Sequence, residues 1–521
     1  MILNIFRKDL AQLWLLSVIV ALMHLANAAI WFFLEPFGEP RGLLTISQVF
    51  SFLALFGSQA LIVLLVHQEV LPGVSQDWLV RPIRRRDLLL SKLLFLVVVV
   101  QCPMLLADLA HAIGAGFPFS AAFAAALSRN AFVLLSLSLP LFAIATVTRT
   151  LVQVAAALIS IWLFVVLGIG LGILARGGVA PIFAANGIQW MTPAWWSLLA
   201  CSTALLVIPV QYLRRSTHRA RGMVVAAVLL APLLSLSPWA AAFSVQQHLS
   251  SHPALSRSIM IAFNPDIGRS AAEFNSRFRT VIFLPIQVSG LPPDSFLMND
   301  RAEIRIIDRD GATIYRGRTI EALGYHDDFP VRTTHGGAVD AYQRIELPDK
   351  IPAHVLTNPV RVEMVESMTL FRLEAEESIP ALDADASSSA FGRCRTKLDS
   401  EGDDIELGCE KPGPAPACTS ITLENPADGV RGRENFTCDP DYAPYRAHIV
   451  PDGMSQFGGE ISLGDLQGST KNPGDPTQFD PARLIVRSFQ PAAHFTRRLV
   501  IPAIRLDAWT ASADLNRAHV P

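Results

Sequence analysis

The sequence has none of the short motifs that mark nucleotide hydrolysis or the common hydrolytic sites. Its 521 residues contain no Gly-x-x-x-x-Gly-Lys-Ser/Thr segment, which excludes ATP hydrolysis by a P-loop in this chain. They contain neither the His-Glu-x-x-His pattern of zinc proteases nor the Gly-x-Ser-x-Gly pattern of serine hydrolases. We therefore predict a protein that is not itself an enzyme and that needs no cofactor and no metal.

Charged residues are scarce in the first half of the chain. Between Leu10 and Gln247 there are long stretches without Asp, Glu, Lys or Arg, whereas from Ser250 onward charged residues and prolines recur every few positions. The net charge is only −2 and the second half has no basic face, which argues against a nucleic-acid partner. The contrast predicts a membrane domain over residues 1–247 and a polar domain over residues 248–521.

Seven apolar segments are long enough to cross a bilayer, because roughly 20 apolar residues in a helix span the hydrocarbon core. They cover residues 12–34, 46–67, 89–113, 130–148, 151–175, 193–213 and 223–245. An apolar stretch at 117–127 precedes the fourth segment and is expected to form a short interfacial or re-entrant piece. The first half is thus predicted to be an α-helical polytopic bundle of about seven spans in contact with membrane lipid.

Lysine and arginine are concentrated before the first segment and in alternate loops after it. Short loops on the cytoplasmic side retain basic residues, so the N terminus is predicted to be cytoplasmic. With seven spans, residues 248–521 then lie outside. We expect a multi-pass protein of a bacterial inner membrane whose C-terminal domain is periplasmic or extracellular.

Four of the six cysteines lie in the second half, at Cys394, Cys409, Cys418 and Cys438. An even number within one short region suits an oxidising compartment and predicts two disulfides of undefined pairing. Zinc is the alternative, but the sequence has no Cys-x-x-Cys pair and no His at ligand spacing from these cysteines. The surrounding residues 380–441 are rich in Pro, Gly, Asp and Ser and are predicted to form an insertion.

Short runs that alternate apolar and polar residues are typical of strands in the second half. Residues 301–308 and 312–318 flank Asp310-Gly311, which favours a tight turn, so they are predicted to form a hairpin. Further strands are predicted at 280–288, 342–347, 360–364, 369–373, 405–409, and as a pair at 483–489 and 497–505. These strands are separated by short turns, and the apolar residues show no helical periodicity. The second half is therefore predicted to be an all-β, sandwich-like extracytoplasmic domain with one or two sandwiches.

The loop between the second and third segments has the most distinctive sequence, HQEVLPGVSQDWLVRPIRRRDLLLSKLL over residues 67–94. An acidic residue follows the span, a Gly and a Trp come next, and a Pro with basic residues begins the next span. The residues concerned are Glu69, Gly73, Trp78, Pro82, Arg84, Arg85, Arg86 and Lys92. This pattern resembles the permease subunits of ATP-binding-cassette (ABC) exporters of the type-two class, and the resemblance covers residues 1–215. The N-terminal MILNIFRKDL is similar to the amphipathic entry helix of that family.

The resemblance implies that the loop contains a coupling helix that docks on a separate ABC ATPase subunit. It also implies a homodimer or a paired permease. The alternative interpretation of the arginines is that they enforce topology and bind anionic lipid. The family usually has six spans, and the resemblance does not extend to the external domain, for which substrate or envelope-protein binding is expected.

Two ionisable residues, Asp108 and His111, stand one helical turn apart near the outer end of the third segment. Ionisable groups inside a span are costly, which makes them candidates for a substrate or proton pathway. Solvation near the outer headgroups is the alternative. Taken together, the sequence favours the permease-like subunit of an ATP-driven exporter; a membrane-anchored sensor or envelope-assembly scaffold without transport activity is the other hypothesis.

Overall fold

The computed structural model describes residues 1–33, 41–68, 84–175, 191–235, 239–268, 280–319, 331–333, 335–347, 353–382, 385–388, 390–398, 404–413, 415–425, 430–431, 435–438, 454–462 and 482–510. Long helices occupy the first half of the chain and strands the second. The helices are α1 (Ile2–Phe33), α2 (Arg41–His67), α3 (Arg85–Gly114), α4 (Phe119–Val147), α5 (Leu151–Ala175), α6 (Met191–Arg214), α7 (Thr217–Ser235), α8 (Trp239–Leu249) and the short α9 (Ala353–Thr357).

Six helices of the described part are long and apolar enough to cross a membrane. Their apolar segments are Ile2–Ile30, Ile46–His67, Arg85–Gly114, Phe119–Val147, Ala194–Arg214 and Thr217–Leu234. The described apolar part of α5, Leu151–Leu167, is shorter. The predicted helical membrane half is thereby confirmed.

Three predicted boundaries are wrong. The N-terminal residues continue directly into α1, with Ile5 buried, and do not form a separate entry helix. Residues 119–127 belong to α4, because their alanines favour helix and Ala122 and Ala126 pack inside the bundle. The predicted segment 223–245 begins too late, because α7 already begins at Thr217; the described residues from Trp239 onward belong to α8.

Two of the spans contain a π-helical segment, at Leu96–Gln101 in α3 and at Leu134–Ser138 in α4. A proline follows each segment at the second position of the next α-helical turn, Pro103 and Pro140 respectively. A proline ring removes a backbone hydrogen-bond donor and clashes with the carbonyl of the preceding turn. The wider π-helical turn before each proline avoids this clash.

One apolar cluster fills the centre of the bundle and receives side chains from α1 to α7. Leu61 of α2, Phe95 of α3 and Phe142 of α4 are fully buried in it, and Phe142 stacks on Tyr212 of α6 with ring centroids 5.9 Å apart. Lipid tails are as apolar as these side chains, so the helices associate through close packing and polar contacts between them.

Among the described residues of the second half, all paired strands are antiparallel. They are β1 (Met260–Phe263), β2 (Thr280–Leu291), β3 (Ser295–Ile307), β4 (Thr313–Thr319), β5 (Val331–Thr333), β6 (Gly337–Leu347), β7 (Val360–Pro380), β8 (Asp385–Ser388), β9 (Gly392–Leu398), β10 (Asp404–Pro412), β11 (Cys418–Asn425), β12 (Val430–Arg431), β13 (Asn435–Cys438), β14 (Met454–Ser462) and β15 (Arg483–Ile504). Three sheets have the orders β1-β2-β6, β14-β10-β9-β8 and β12-β11-β15-β7-β3-β4.

The long sheet contributes to three apolar clusters, two of which it shares with the other sheets. One core is shared with β2 and β6, through residues such as Leu284 and Ile345. The other is shared with the sheet of β8, β9, β10 and β14, through residues such as Leu407 and Phe391. An all-β region with antiparallel sheets is therefore confirmed.

Individual strand predictions have mixed outcomes. The hairpin is confirmed as β3 and β4, and Gly311 has the positive φ of +80° that its turn requires. The predicted pair at 483–489 and 497–505 is wrong, because both segments belong to β15. Pro491 lies between them, and a β-bulge at Pro491/Ala493 lets the strand continue although proline cannot donate to the ladder. Strands predicted at 360–364 and 369–373 likewise form the single strand β7.

Candidate functional sites along the third helix

Helix α3 carries five of the ten sequence-predicted site residues that lie within the described part of the chain. Near its beginning, Lys92 has only 1% of its side chain exposed, and its Nζ lies 3.0 Å from Asp9 Oδ2 of α1. The same ammonium donates to the backbone carbonyl of Leu65 at 3.2 Å, close to the end of α2. Lys92 therefore joins α1, α2 and α3 inside the bundle.

Asp9 was missed by the sequence reasoning, although a signal for it exists. It lies four residues from Ile5 and four from Leu13, so it falls on the buried face of α1, where a carboxylate needs a cation. Breaking a buried ion pair by removing one partner costs about 3–5 kcal/mol, since the other charge is left uncompensated. The Asp9–Lys92 contact therefore fixes the beginning of α3 against its neighbours.

Two arginines from the loops between spans donate hydrogen bonds to backbone carbonyls at the C-terminal ends of other helices. Arg85 Nη1 donates to the carbonyl of Leu213 at 2.7 Å, and Arg221 Nε donates to the carbonyl of Val147 at 3.0 Å. A cation at a helix C terminus stabilises the helix, because it binds carbonyl groups that have no partner within the helix and interacts favourably with the negative end of the helix dipole.

The remaining residues of the predicted coupling loop are distributed differently. Arg84 and Arg86 are exposed at the beginning of α3. Glu69, Gly73, Trp78 and Pro82 lie outside the described residues.

Polar side chains also meet in the middle of the bundle. Gln101, in the π-helical segment of α3, donates to Ser138 Oγ of α4 at 3.1 Å, and Gln59 of α2 donates to the same oxygen at 3.4 Å. His24 of α1 lies 2.9 Å from Ser58 Oγ of α2. Such contacts hold spans together where water cannot replace them.

The two predicted pathway residues at the outer end of α3 have different partners. Asp108 forms a salt bridge with Arg129 of α4 and accepts a hydrogen bond from Asn130 Nδ2 at 3.3 Å. His111 Nε2 lies 3.5 Å from Glu410 Oε1 of β10. Asp108 thus binds α3 to α4, whereas His111 meets the β region.

Glu410 was not singled out by sequence reasoning, because nothing local relates it to a histidine almost 300 positions away. Burial raises the pKa of the Glu410 carboxyl, and the positive charge of Arg393 partly opposes that effect. A carboxyl with a raised pKa beside an imidazole can share a proton with it, which makes this contact sensitive to pH.

A second junction between helices and strands lies at α8. The guanidinium of Arg301 lies 4.7 Å from the ring centroid of Trp239, and the backbone N–H of His494 donates to Ser250 Oγ at 3.0 Å. Burial lowers the pKa of His494 to about 4, so its ring is neutral at pH 7. The bundle and the β region are therefore connected at the ends of both α3 and α8.

A buried polar cluster lies inside the β region. Asn299 Nδ2 donates to Glu366 Oε2 at 2.6 Å and to Gln343 Oε1 at 3.2 Å. Burial raises the pKa of Glu366 to about 8, against the effect of the hydrogen bond from Asn299. Next to this cluster, the hydroxyl of Thr369 donates to Asp300 at 2.6 Å.

The four cysteines of the β region form the two predicted disulfides, which excludes the zinc alternative for them. Cys394 pairs with Cys409 across β9 and β10, and Cys418 pairs with Cys438 across β11 and β13. Each pair occupies directly opposite positions of neighbouring strands, which is why the pairing follows from register and not from spacing. Disulfides persist in oxidising compartments, so they are consistent with an extracytoplasmic location.

Comparison with known proteins adds little to this picture. No protein-family model matches the chain, and no curated protein sequence matches it. Among solved structures, red sea bream transglutaminase is similar to this chain with 10% sequence identity, over 47% of this chain and 31% of that chain, and with a TM-score of 0.12. A likeness at that TM-score supports no argument about fold or activity.

Proposed function

We propose that this chain is the permease-like subunit of an ATP-driven ABC exporter and is energised by a separate ATPase subunit. The loop from Glu69 to Lys92 carries the sequence resemblance on which the proposal rests. One structural observation supports it above the others: Lys92 binds Asp9 and the Leu65 carbonyl together. Both ends of the loop are thereby attached to the bundle, so a force applied to the loop would reach α1, α2 and α3 at once.

The proposal includes a complete topology. Helix α5 is taken as a seventh span beside the six apolar helices, with the N terminus in the cytoplasm and the β region in the periplasm or outside the cell. The two disulfides and the distribution of arginines support this orientation, and the setting proposed is a bacterial inner membrane. The shared apolar cores support sandwich-like packing of the sheets. A homodimer or a paired permease completes the transporter.

Helix α3 is the proposed link between energy input and the external domain. It begins at the coupling loop, is fixed by Lys92, and ends where His111 meets Glu410. A displacement of α3 along its axis would therefore reach β10 without passing through a flexible segment. The external domain would use that displacement to receive or release substrate, or to engage an envelope protein.

Affinity purification of the tagged chain in mild detergent tests the proposal. An ABC ATPase is expected to copurify, and Trp78→Ala or Pro82→Ala is expected to reduce its recovery by removing apolar docking contacts. Trp162→Ala is the matched control, because Trp162 is an exposed tryptophan of α5 that lies far from the loop in sequence. Absence of an ATPase, together with unimpaired function of the Trp78→Ala variant, would contradict the proposal.

The alternative, a sensor or assembly scaffold, is favoured by the fixed junction at α8, where Ser250 and Arg301 hold the β region on the bundle. A scaffold does not need the coupling loop. The double variant Trp78→Ala/Pro82→Ala would therefore retain scaffold activity and lose transport, which separates the two candidates.

A further inference from the structure

A cavity of about 710 Å³ lies at the junction between the membrane bundle and the β region. The connection between α3 and α4 forms one wall, with Phe117, Pro118 and Ala121. Strands β9 and β10 form the opposite wall, with Arg393 and Lys411. This volume is in the range typical of ligand sites, and one wall is apolar while the other is cationic.

The two cations of the cavity are not held in salt bridges by the described residues, although Arg393 lies opposite Glu410 in the register of β9 with β10 and its charge acts on that carboxyl. Within the described part of the chain, neither Arg393 nor Lys411 forms a salt bridge; Lys411 Nζ only donates to the carbonyl of Ala390 at 3.4 Å. The carboxylate that lines the cavity, Asp385, lies 3.9 Å from Arg395 and is thus partly neutralised by a different cation. The cavity therefore has positive charge available for an anion.

The position of the cavity indicates where that anion comes from. The apolar wall joins two membrane spans, so it lies at the surface of the bilayer. On the first turns of α4, Phe119 and Phe123 stack with ring centroids 5.7 Å apart and are exposed, so they extend the apolar surface next to Pro118 and Ala121. An occupant that enters from the membrane would bring an apolar part to Phe117 and an anionic part to the strands.

We propose that this cavity binds the phosphate headgroup of an anionic phospholipid from the adjacent leaflet. The phosphate lies between Arg393 and Lys411, and the glycerol and proximal acyl carbons lie against Phe117, Pro118 and Ala121. A bound lipid of this kind would connect β9 and β10 to the α3–α4 connection, beside the contact of His111 with Glu410. The proposal depends on the membrane bundle and not on ATP-driven transport.

Photocrosslinking in nanodiscs tests this assignment with the full-length chain. The discs contain phosphatidylcholine and a small fraction of photoactivatable phosphatidylglycerol, and adducts are mapped by mass spectrometry. Adducts are expected on residues 115–121 and 390–412. Arg393→Gln and Lys411→Gln should each reduce the adduct yield about fivefold, as expected for loss of one cation near a phospholipid headgroup.

The matched control is Lys397→Gln, which removes a cation from the same strand as Arg393. Lys397 pairs with Glu406 at 3.0 Å and does not line the cavity, so its replacement should leave the yield unchanged. Formation of the Cys394–Cys409 disulfide in each variant verifies that the strands have folded, and the charge-retaining Arg393→Lys variant should recover most of the yield.

Three results would overturn the proposal. The first is an equal adduct yield in wild type, Arg393→Gln and Lys411→Gln. The second is equal labelling of this region by a zwitterionic phosphatidylcholine probe, which would mean that the negative charge is not recognised. The third is displacement of the lipid probe by millimolar inorganic phosphate, which would assign the cations to free phosphate instead of to a lipid.

Discussion

The buried carboxyl of Glu366 gives the sharpest test of the energetics of the β region. Burial raises its pKa from 4.5 to about 8, so between these values the folded chain keeps a proton that the unfolded chain releases. The stabilising contribution of Glu366 to the free energy of unfolding is therefore fully present below pH 4.5 and declines as the pH rises towards about 8. Above that pH both states are ionised, and the contribution stays at its lower level.

The useful pH window begins above the range in which His494 titrates. Burial lowers the pKa of His494 from 6.5 to about 4, so this residue makes stability rise with pH until about 6.5. Of these two residues, only Glu366 still titrates between about pH 6.5 and about pH 8.5. At about 1.4 kcal/mol per pH unit, the free energy of unfolding should fall by about 2 kcal/mol across this window.

Hydrogen exchange of the full-length chain in nanodiscs measures this effect on peptides from β3 and β7. After correction for intrinsic exchange rates, protection in the wild type should fall about 25-fold across the window. Glu366→Gln keeps a neutral amide beside Asn299 and should abolish the decline. Glu374→Gln, which replaces an exposed carboxylate of the same strand, should retain it. An unchanged pH dependence in Glu366→Gln would refute the reasoning.

Two further changes test the contacts that hold each half together. Lys92→Met leaves Asp9 buried without a cation and should lower the free energy of unfolding by about 3–5 kcal/mol, whereas Asp9→Leu/Lys92→Met should recover most of it; thermal unfolding in detergent measures both. A Lys92→Met variant as stable as wild type would contradict the assigned pair. Replacing Cys394 and Cys409 by Ala opens a loop with a sequence separation of 15 and should cost about 3 kcal/mol in denaturant unfolding; reduction of the wild type, which also opens the Cys418–Cys438 disulfide, should cost at least as much. Equal stability of the reduced and oxidised chains would contradict this expectation.

The parts of the fold that could be predicted are those set by neighbouring residues. Apolar runs identify the spans because the bilayer requires them locally, and Asp310-Gly311 identifies its hairpin because only a tight turn connects the flanking strands. A continuous strand through Pro491 could not be foreseen, since the bulge that accommodates it depends on the partner strand β7. A proline reliably marks the end of a strand only where the pairing with a neighbouring strand does not accommodate the missing backbone N–H.

The candidate site follows the same rule. The sequence identified His111 and Lys92 as ionisable residues in or beside a span, but it could not identify their partners. Asp9 lies 83 positions from Lys92, and Glu410 belongs to a different half of the chain from His111. The cysteines illustrate the same limit, because their number predicted two disulfides while their pairing depended on the register of β9 with β10 and of β11 with β13.

These contacts also decide which residues can test the proposed coupling. Lys92 matches the family pattern, but its buried bonds to Asp9 and Leu65 mean that replacing it would disturb the bundle whether or not an ATPase docks there. Arg85 is subject to the same objection, because it binds the end of α6 through the Leu213 carbonyl. Loss of function in either variant would therefore report helix packing. Trp78 belongs to the family pattern and lies outside the described residues, so its role in docking is tested by recovery of the ATPase in Trp78→Ala against the Trp162→Ala control.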